Sequence, residues 1–279
     1  MTESTCLSVS QLHEMNRLAW NEAAAKYDAD IADTIAFLQS GKTNFCPPEL
    51  PYLNDLSAWC HRAIHLQCAG GRDTMSLWKL GAKEVIGLDI SDRMIAAAKR
   101  VSDILQAPAH WHCCDVLSAP DELNATADLI YTGRGALGWI MDITAWAGVV
   151  ARLLKPSGKL YIFEGHPLDW VWTPNASTLQ IDPNPPFGDY FSIQPDQSKG
   201  WPESYIPPAS VLPAEQQSLK HERQWKLGDI INSLITAGLI IERFEEHPDM
   251  FWDKLPQLSP DITRRLPQTF SLLVRKPAN

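Results

Sequence analysis

The chain has 279 residues, a formal net charge of -9 and a pI near 5.3. Hydrophobic residues make up 45% and charged residues 20%, the balance of a soluble globular protein with room for one large domain or one domain with an insertion. The acidic balance without a basic run excludes a nucleic acid as the main partner, and no stretch approaches the roughly 18 apolar residues of a membrane span.

The cysteines are Cys6, Cys46, Cys60, Cys68, Cys113 and Cys114. None forms a C-x-x-C pair, so zinc-ligand spacing is absent and no metal is expected. Reduced thiols in a cytoplasmic protein are the expectation. The first ten residues lack a basic stretch followed by an apolar one, so no signal peptide is expected.

Residues 1–10 are polar and expected to fray. From Gln11 to Gln39 apolar residues recur at three- and four-residue steps (Leu12, Met15, Leu18, then Ile31, Ile35, Leu38), which predicts two helices with a joint near 27–30. Residues 41–48 read as a loop. Residues 49–60 read as a short amphipathic helix with Leu53, Leu56 and Trp59 inward.

Residues 64–100 are the stretch around which the rest is organised. An apolar run ending at Leu66 meets a small turn at 68–71, then a helical pattern, then a second apolar run (85–88) that ends on Asp89. Such a strand–turn–helix–strand unit holds an adenosine-containing cofactor. The turn's N–H groups receive an anionic group, and the carboxylate at the second strand's tip accepts from ribose hydroxyls. Residues 91–105 form a helix, with Ser91 as its cap and Met94, Ile95, Ala98, Val101, Ile104 and Leu105 as its apolar stripe.

Further strands are predicted at 109–113 and 127–131, a helix at 142–154, a turn at 155–158 and a strand at 159–164. Alternating strands and helices with near-continuous apolar strands indicate an α/β fold with a parallel sheet covered on both faces. Ligands of such sheets sit beyond the carboxyl ends of the strands. The functional candidates therefore fall at 68–73, Asp89, Asp115, 132–135 and 164–166.

The pattern stops at 167–214, which is rich in proline and carries Trp170, Trp172, Phe187, Tyr190, Phe191, Trp201 and Tyr205. A loop of this length with this aromatic content predicts an ordered lid. A short strand is expected at 218–223, a helix at 227–237 with Gly238 as its stop signal, and strands at 239–246 and 269–275.

Taken together, L-Q-C-A-G-G-R-D (66–73), G-L-D-I-S (87–91), C-C-D-V (113–116), D-L-I-Y-T-G-R-G-A-L-G-W-I (128–140) and A-R-L-L-K-P-S-G-K-L-Y-I-F-E (151–164) resemble the class I S-adenosylmethionine-dependent methyltransferases. The resemblance covers about 60–165 and 224–276. It implies a Rossmann-like, seven-stranded, mostly parallel sheet with the last strand antiparallel. The implied layout is an N-terminal helical cap (1–60), a cofactor-binding domain (61–165 and 224–279) and an inserted lid (166–223).

It also implies S-adenosylmethionine as cofactor and a small-molecule methyl acceptor as partner. Gln67, Cys68, Ala69, Gly70 and Gly71, helped by Asp73, would cradle the methionine part. Asp89 would bind ribose, and Asp115 with Val116 would meet adenine. Ile90 and Met94 would pack near the adenosine, with Thr132 and Gly133 beside the sulfonium and Tyr27 closing over the cofactor. The turn departs from the family pattern: Gln67 and Ala69 occupy two glycine places, and His65 stands where an acid is usual.

Methyl transfer needs positioning first and a base only for an acceptor with a tightly held proton. The candidates for chemistry are His166, Glu164 and Arg134, at strand ends. Tyr131, Trp20, Trp170, Trp172 and His221 are candidates for the acceptor pocket. The lid tryptophans could line that pocket and attract a cation, or simply pack the lid onto the body. Two other readings remain: a cofactor-binding protein without turnover, and a nicotinamide-dependent dehydrogenase. The absence of G-x-G-x-x-G weighs against the dehydrogenase.

Overall fold

The computed structural model describes residues 7–202, 205–206 and 212–278. Helix α1 (Val9–Ala29) starts earlier than expected, because Ser8 and Gln11 form a reciprocal capping box. Val9 and Ser10 are therefore helical rather than frayed; the rest of that expectation, residues 1–6, lies outside the described residues. After a joint at Asp30 comes α2 (Ile31–Gln39). The predicted helix at 49–60 is split into α3 (Leu50–Leu53) and a 3-10 turn at Leu56–Ala58. Asp55, with φ 57°, breaks the helical phase between them. Leu53 and Leu56 are buried, but Trp59 is 38% exposed instead of inward.

The alternating unit then unrolls as β1 (Arg62–Leu66), α4 (Arg72–Lys79), β2 (Glu84–Asp89), α5 (Asp92–Leu105), β3 (Ala109–Cys113), β4 (Ala127–Gly133), α6 (Ile143–Leu153) and β5 (Leu154–Gly165). Beyond it lie β6 (Asp196–Lys199), β7 (Leu219–Glu222), α7 (Leu227–Thr236), β8 (Ile240–His247), α8 (Pro260–Thr263) and β9 (Thr269–Arg275). Seven strands form one sheet in the order β3-β2-β1-β4-β5-β9-β8. Strands β1 to β5 pair in parallel, and β9 runs antiparallel to both neighbours, as the sequence implied.

Period-2 alternation divides the core. Ile64, Leu66, Ile130, Leu160 and Ile162 point to one face, where Trp146 of α6 and Ile230 and Leu234 of α7 cover them. Ala63, Leu129, Tyr131, Tyr161 and Phe163 point to the other, packed with Leu53, Leu56 and Leu77.

Three local expectations are corrected. Ile104 is 59% exposed, on the solvent side of the last turn of α5, while Leu105 of the same turn packs against the core. Residues 155–158 are no free turn but a bulge within β5: Ala127 pairs with Leu154 and Leu129 with Lys159, while Ser157 N–H donates to the Lys276 carbonyl at 3.1 Å. Strand β4 runs on through Thr132 and Gly133, where a Cβ on Gly133 would lie 2.0 Å from the Phe163 carbonyl oxygen. Only glycine lets β4 and β5 stay paired there.

The inserted stretch holds a 3-10 turn at Pro167–Trp170, a bridge between Trp172 and Ile181, and the antiparallel ribbon β6–β7. Helix α1 seats the ribbon through Glu22, which accepts from Ser218 N–H at 2.6 Å, and through Asn16. Asn16 Nδ2 donates to the His221 carbonyl at 2.9 Å, and His221 N–H donates to Asn16 Oδ1 at 2.7 Å. Cys46, Cys60, Cys68, Cys113 and Cys114 are free thiols, and Cys6 lies outside the described residues. Among the described residues no helix is long and apolar enough to cross a membrane.

Candidate active site

A cavity of about 580 Å³ opens beyond the carboxyl ends of β1, β2 and β4. Helix α1, the β7 strand and the Phe251–Trp252 segment wall it in. Its size falls within the range of small-molecule sites, about 300–1,000 Å³.

The floor is the turn after β1. Gln67, Ala69 and Gly71 all take positive φ, at 58°, 44° and 79°. Two non-glycine residues in this region are strained, and the surroundings hold them there. Cys68 N–H donates to the Leu88 carbonyl at 2.9 Å, and Ala69 N–H donates to Asp89 Oδ2 at 2.8 Å. Gly71 caps α4, and a Cβ there would strike the Trp111 ring at 2.6 Å. Gln67 Nε2 donates to the Ala136 carbonyl at 2.5 Å, which leaves Gln67 Oε1 buried without a partner. His65 is bonded to Thr74 Oγ1 at 2.8 Å, and burial pushes its pKa down to about 4, so it is a neutral imidazole.

Two strand-end acids face the cavity. Asp89 accepts from Ala69 and, through Oδ1, from Ser91 N–H at 2.9 Å. Burial pushes its carboxyl up to about 6 against those amide bonds. Asp115 accepts from Leu117 N–H at 2.9 Å and holds His13 Nδ1 at 2.7 Å. His13 Nε2 in turn accepts from Met141 N–H at 3.0 Å, so its proton sits on Nδ1 and is donated to Asp115. Burial raises the Asp115 carboxyl, but the His13 and Leu117 bonds outweigh it and hold the group below the usual range.

Arg134 lines the cavity with its charge already engaged. Its guanidinium donates to the Asn44 carbonyl and to Glu49 Oε2, the latter at 2.7 Å, and its Nε lies 3.7 Å from Asp73 Oδ2 without a hydrogen-bond partner. Glu49 is fully buried and also accepts from Tyr131 OH and Cys46 N–H, each at 2.7 Å. Burial raises the Glu49 carboxyl, while Arg134 is the main influence holding it ionised.

Aromatic rings close the cavity. Trp20 lies 5.0 Å from Trp139 and 4.6 Å from Trp201, and Trp201 stacks on Tyr205 at 5.3 Å. Tyr205 meets Trp252 at 6.0 Å, and its hydroxyl is 2.5 Å from that of Tyr27. The Tyr27 ring sits on the turn, where a Cβ on Gly70 would be 2.6 Å from Tyr27 Cδ1.

The residues expected to hold a cofactor thus converge on this cavity: Tyr27, Gln67, Cys68, Ala69, Gly70, Gly71, Asp73, Asp89, Ile90, Asp115, Val116 and Gly133 all line it. Met94 and Thr132 do not. Met94 is buried beneath, against Ala23 and Ala24, and Thr132 is buried with its hydroxyl toward the Leu66 carbonyl.

Of the residues expected to do chemistry, Arg134 lines the cavity and Glu164 and His166 do not. Glu164 turns away and accepts three backbone N–H groups, from Gly135, Leu137 and Gly165, so it anchors the loop after β4. His166 accepts from Leu168 N–H through Nδ1 at 3.1 Å and reaches Glu246 Oε1 through Nε2 at 3.0 Å, outside the large cavity. Burial pulls its imidazole down while Glu246 opposes. His166→Ala is expected to lower stability by about 1–3 kcal/mol through this lost bonding. Ligand affinity at the large cavity should stay within about twofold, since nothing there touches it; calorimetry alongside urea melts checks both.

Among the acceptor candidates Trp20 and the lid's Trp201 line the cavity. Tyr131 is buried beneath it, Trp170 stacks on Phe187 at 5.0 Å, and Trp172 sits in its bridge to Ile181. His221 packs toward α1, because alternation on β7 sends Lys220 and Glu222 inward instead.

The sequence reading missed His13, Asn44, Trp139, Lys220, Glu222 and Trp252, all of which line the cavity. The one signal available was the parity of 219–222.

Residues 63–158 match a family described as "Methyltransferase domain". No curated protein matches the chain. Among solved structures, an S-adenosylmethionine-dependent methyltransferase of Mesorhizobium loti aligns at 22% identity and a TM-score of 0.55, covering 82% of this chain and 97% of that one. One described as a putative enzyme of the same kind, from Listeria monocytogenes, aligns at 19% identity and 0.56, covering 82% and 94%. Geranyl diphosphate C-methyltransferase of Streptomyces coelicolor A3(2) aligns at 12% and 0.53, covering 82% and 80%. Residues 63–158 thus match a methyltransferase family model, and the sheet that carries them has the fold of the class I S-adenosylmethionine-dependent methyltransferases.

Proposed function

We propose that this protein transfers a methyl group from S-adenosylmethionine to a small-molecule acceptor. The observation that carries the reading is Asp89. Its carboxylate is fixed by amides of the turn and of the α5 start and is presented to a cavity of ligand size. In that position it accepts from ribose hydroxyls.

The residues present suit this cofactor. Gln67 Oε1, an orphaned buried acceptor, and the Asp73 carboxylate would receive the α-ammonium group. The unpartnered Arg134 Nε would meet the α-carboxylate. Asp115 and Val116 would meet adenine. When bound, the cofactor supplies an electrophilic methyl on a sulfonium. The chain's part is to hold both reactants and keep water out, which the rings of Trp20, Trp139, Trp201 and Tyr205 do.

In this reading 61–165 and 224–279 form the cofactor domain, 1–60 the cap and 166–223 the acceptor cover, in a cytoplasmic protein. A binding protein without turnover is the second reading, favoured by the engagement of Arg134, Glu164 and His166 in structural bonds.

Calorimetric titration with S-adenosylhomocysteine and with NAD tests the proposal. Binding of the homocysteine compound alone is expected, and binding of NAD alone would overturn it.

A further inference from the structure

Glu222 is the one cavity-facing carboxylate that the cofactor reading does not use and that, among the described residues, has no hydrogen bond or ion pair. It stands against the loop after β4, where a Cβ on Gly138 would be 3.3 Å from Glu222 Oε1. Of its charged neighbours, Lys254 and Lys220 draw its carboxyl down without pairing with it, and Glu164 pushes it up. Lys220 donates to Ser198 Oγ at 2.6 Å and lies 5.3 Å from the Trp201 ring centre; Lys254 pairs with Asp169 at 3.3 Å; Glu164 is spent on backbone amides. The remaining charge that acts on Glu222 is Asp196 on the paired strand. Burial raises the Glu222 carboxyl above its ordinary range. Rings sit around the same part of the cavity: Trp139 next in chain to Gly138, Trp201, and Trp252 over Gly135, where a Cβ would be 3.5 Å from the indole.

A half-buried carboxylate without a partner, among aromatic faces, is the chemistry that recognises a small organic cation. The carboxylate accepts a charge-assisted hydrogen bond from an N–H, and the ring faces attract positive charge. A neutral hydroxyl can also donate to the carboxylate, but it gains neither the ion pair nor the attraction of the ring faces. We propose, resting on the methyl-transfer reading above, that Glu222 selects the acceptor and that the acceptor class is an amine carrying positive charge at neutral pH. Glu222 is then a specificity determinant that accepts from the ammonium N–H, with Trp139 and Trp252 as its apolar walls; where that nitrogen takes the methyl, its proton passes to the Glu222 carboxylate, its lone pair forms the new N–C bond, and the S–C bond breaks to leave the neutral thioether.

The test uses the whole protein saturated with S-adenosylhomocysteine and two probes of equal shape, benzylamine and benzyl alcohol, titrated by calorimetry into wild type and Glu222→Gln. Wild type is expected to bind benzylamine at least about tenfold more tightly than benzyl alcohol, and Glu222→Gln is expected to lose that preference. S-adenosylhomocysteine affinity and melting temperature should be equal in the two proteins, which shows that the variant is folded.

Equal binding of the two probes by wild type, or an unchanged preference in Glu222→Gln, overturns the inference. So does a variant that weakens S-adenosylmethionine but not S-adenosylhomocysteine while leaving benzylamine untouched, since the carboxylate would then serve the sulfonium. Failure of wild type to bind S-adenosylhomocysteine would instead overturn the methyl-transfer reading.

Discussion

Replacing Asp89 with asparagine is expected to weaken S-adenosylhomocysteine binding by about 1–3 kcal/mol, roughly five- to 150-fold. Two effects add. The amide cannot match a carboxylate as acceptor for two ribose hydroxyls, and the Ala69 N–H loses a charged partner that holds a left-handed residue in place.

The same group gives a pH signature. Its carboxyl is raised from 3.8 to about 6, chiefly by burial. Ribose recognition needs the ionised form, so wild-type affinity should fall as pH drops through about 6, while Asp89→Asn should be flat there. For folding the sign is opposite. The native state binds this proton more tightly than the unfolded chain does, so the group's contribution is fully present below 3.8 and is lost as pH rises through about 6. Calorimetry and melts across that window check both directions. An Asp89→Asn variant with unchanged affinity would remove Asp89 from the site.

Glu49→Ala should be the most destabilising of the substitutions considered, by about 3–5 kcal/mol, because it strands the Arg134 guanidinium in the wall of the cavity. Glu49 is 0% exposed, and the Tyr131 hydroxyl and Cys46 amide lose their acceptor at the same time. Removing both charges, in Glu49→Met with Arg134→Met, should restore part of the loss, as an apolar pair of similar volume would. Urea unfolding measures all three proteins. A loss below about 1 kcal/mol for the single variant would show that Arg134 finds water or Asp73 instead.

The cofactor half of the site was legible because it is local. Strand, turn, helix and strand follow one another in 62–89, and Asp89 and Asp115 fall where a strand-end rule puts them. That rule failed at Glu164 and His166. They follow a strand as well, but the loop at 134–137 lies between them and the cavity, and its amides needed an acceptor.

The acceptor half comes from distant segments, with Trp20 in α1, Trp139 after β4, Glu222 on β7 and Trp252 in a late loop. No spacing links these. On β7 the choice turned on parity. Histidine drew attention as a residue type, yet Asn16 of α1 fixes the His221 backbone, and the inward positions belong to Lys220 and Glu222. His13 escaped for a related reason: only the packing of α1 over the cavity brings it to Asp115.

Crystallising the protein with S-adenosylhomocysteine tests the central claim most directly. The account predicts the ligand in the large cavity, with its ribose hydroxyls bonded to Asp89, adenine beside Val116 and Asp115, and its amino-acid end at Gln67 and Arg134. A ligand bound elsewhere, or one in the cavity with Asp89 touching only the amides of Ala69 and Ser91, would contradict it.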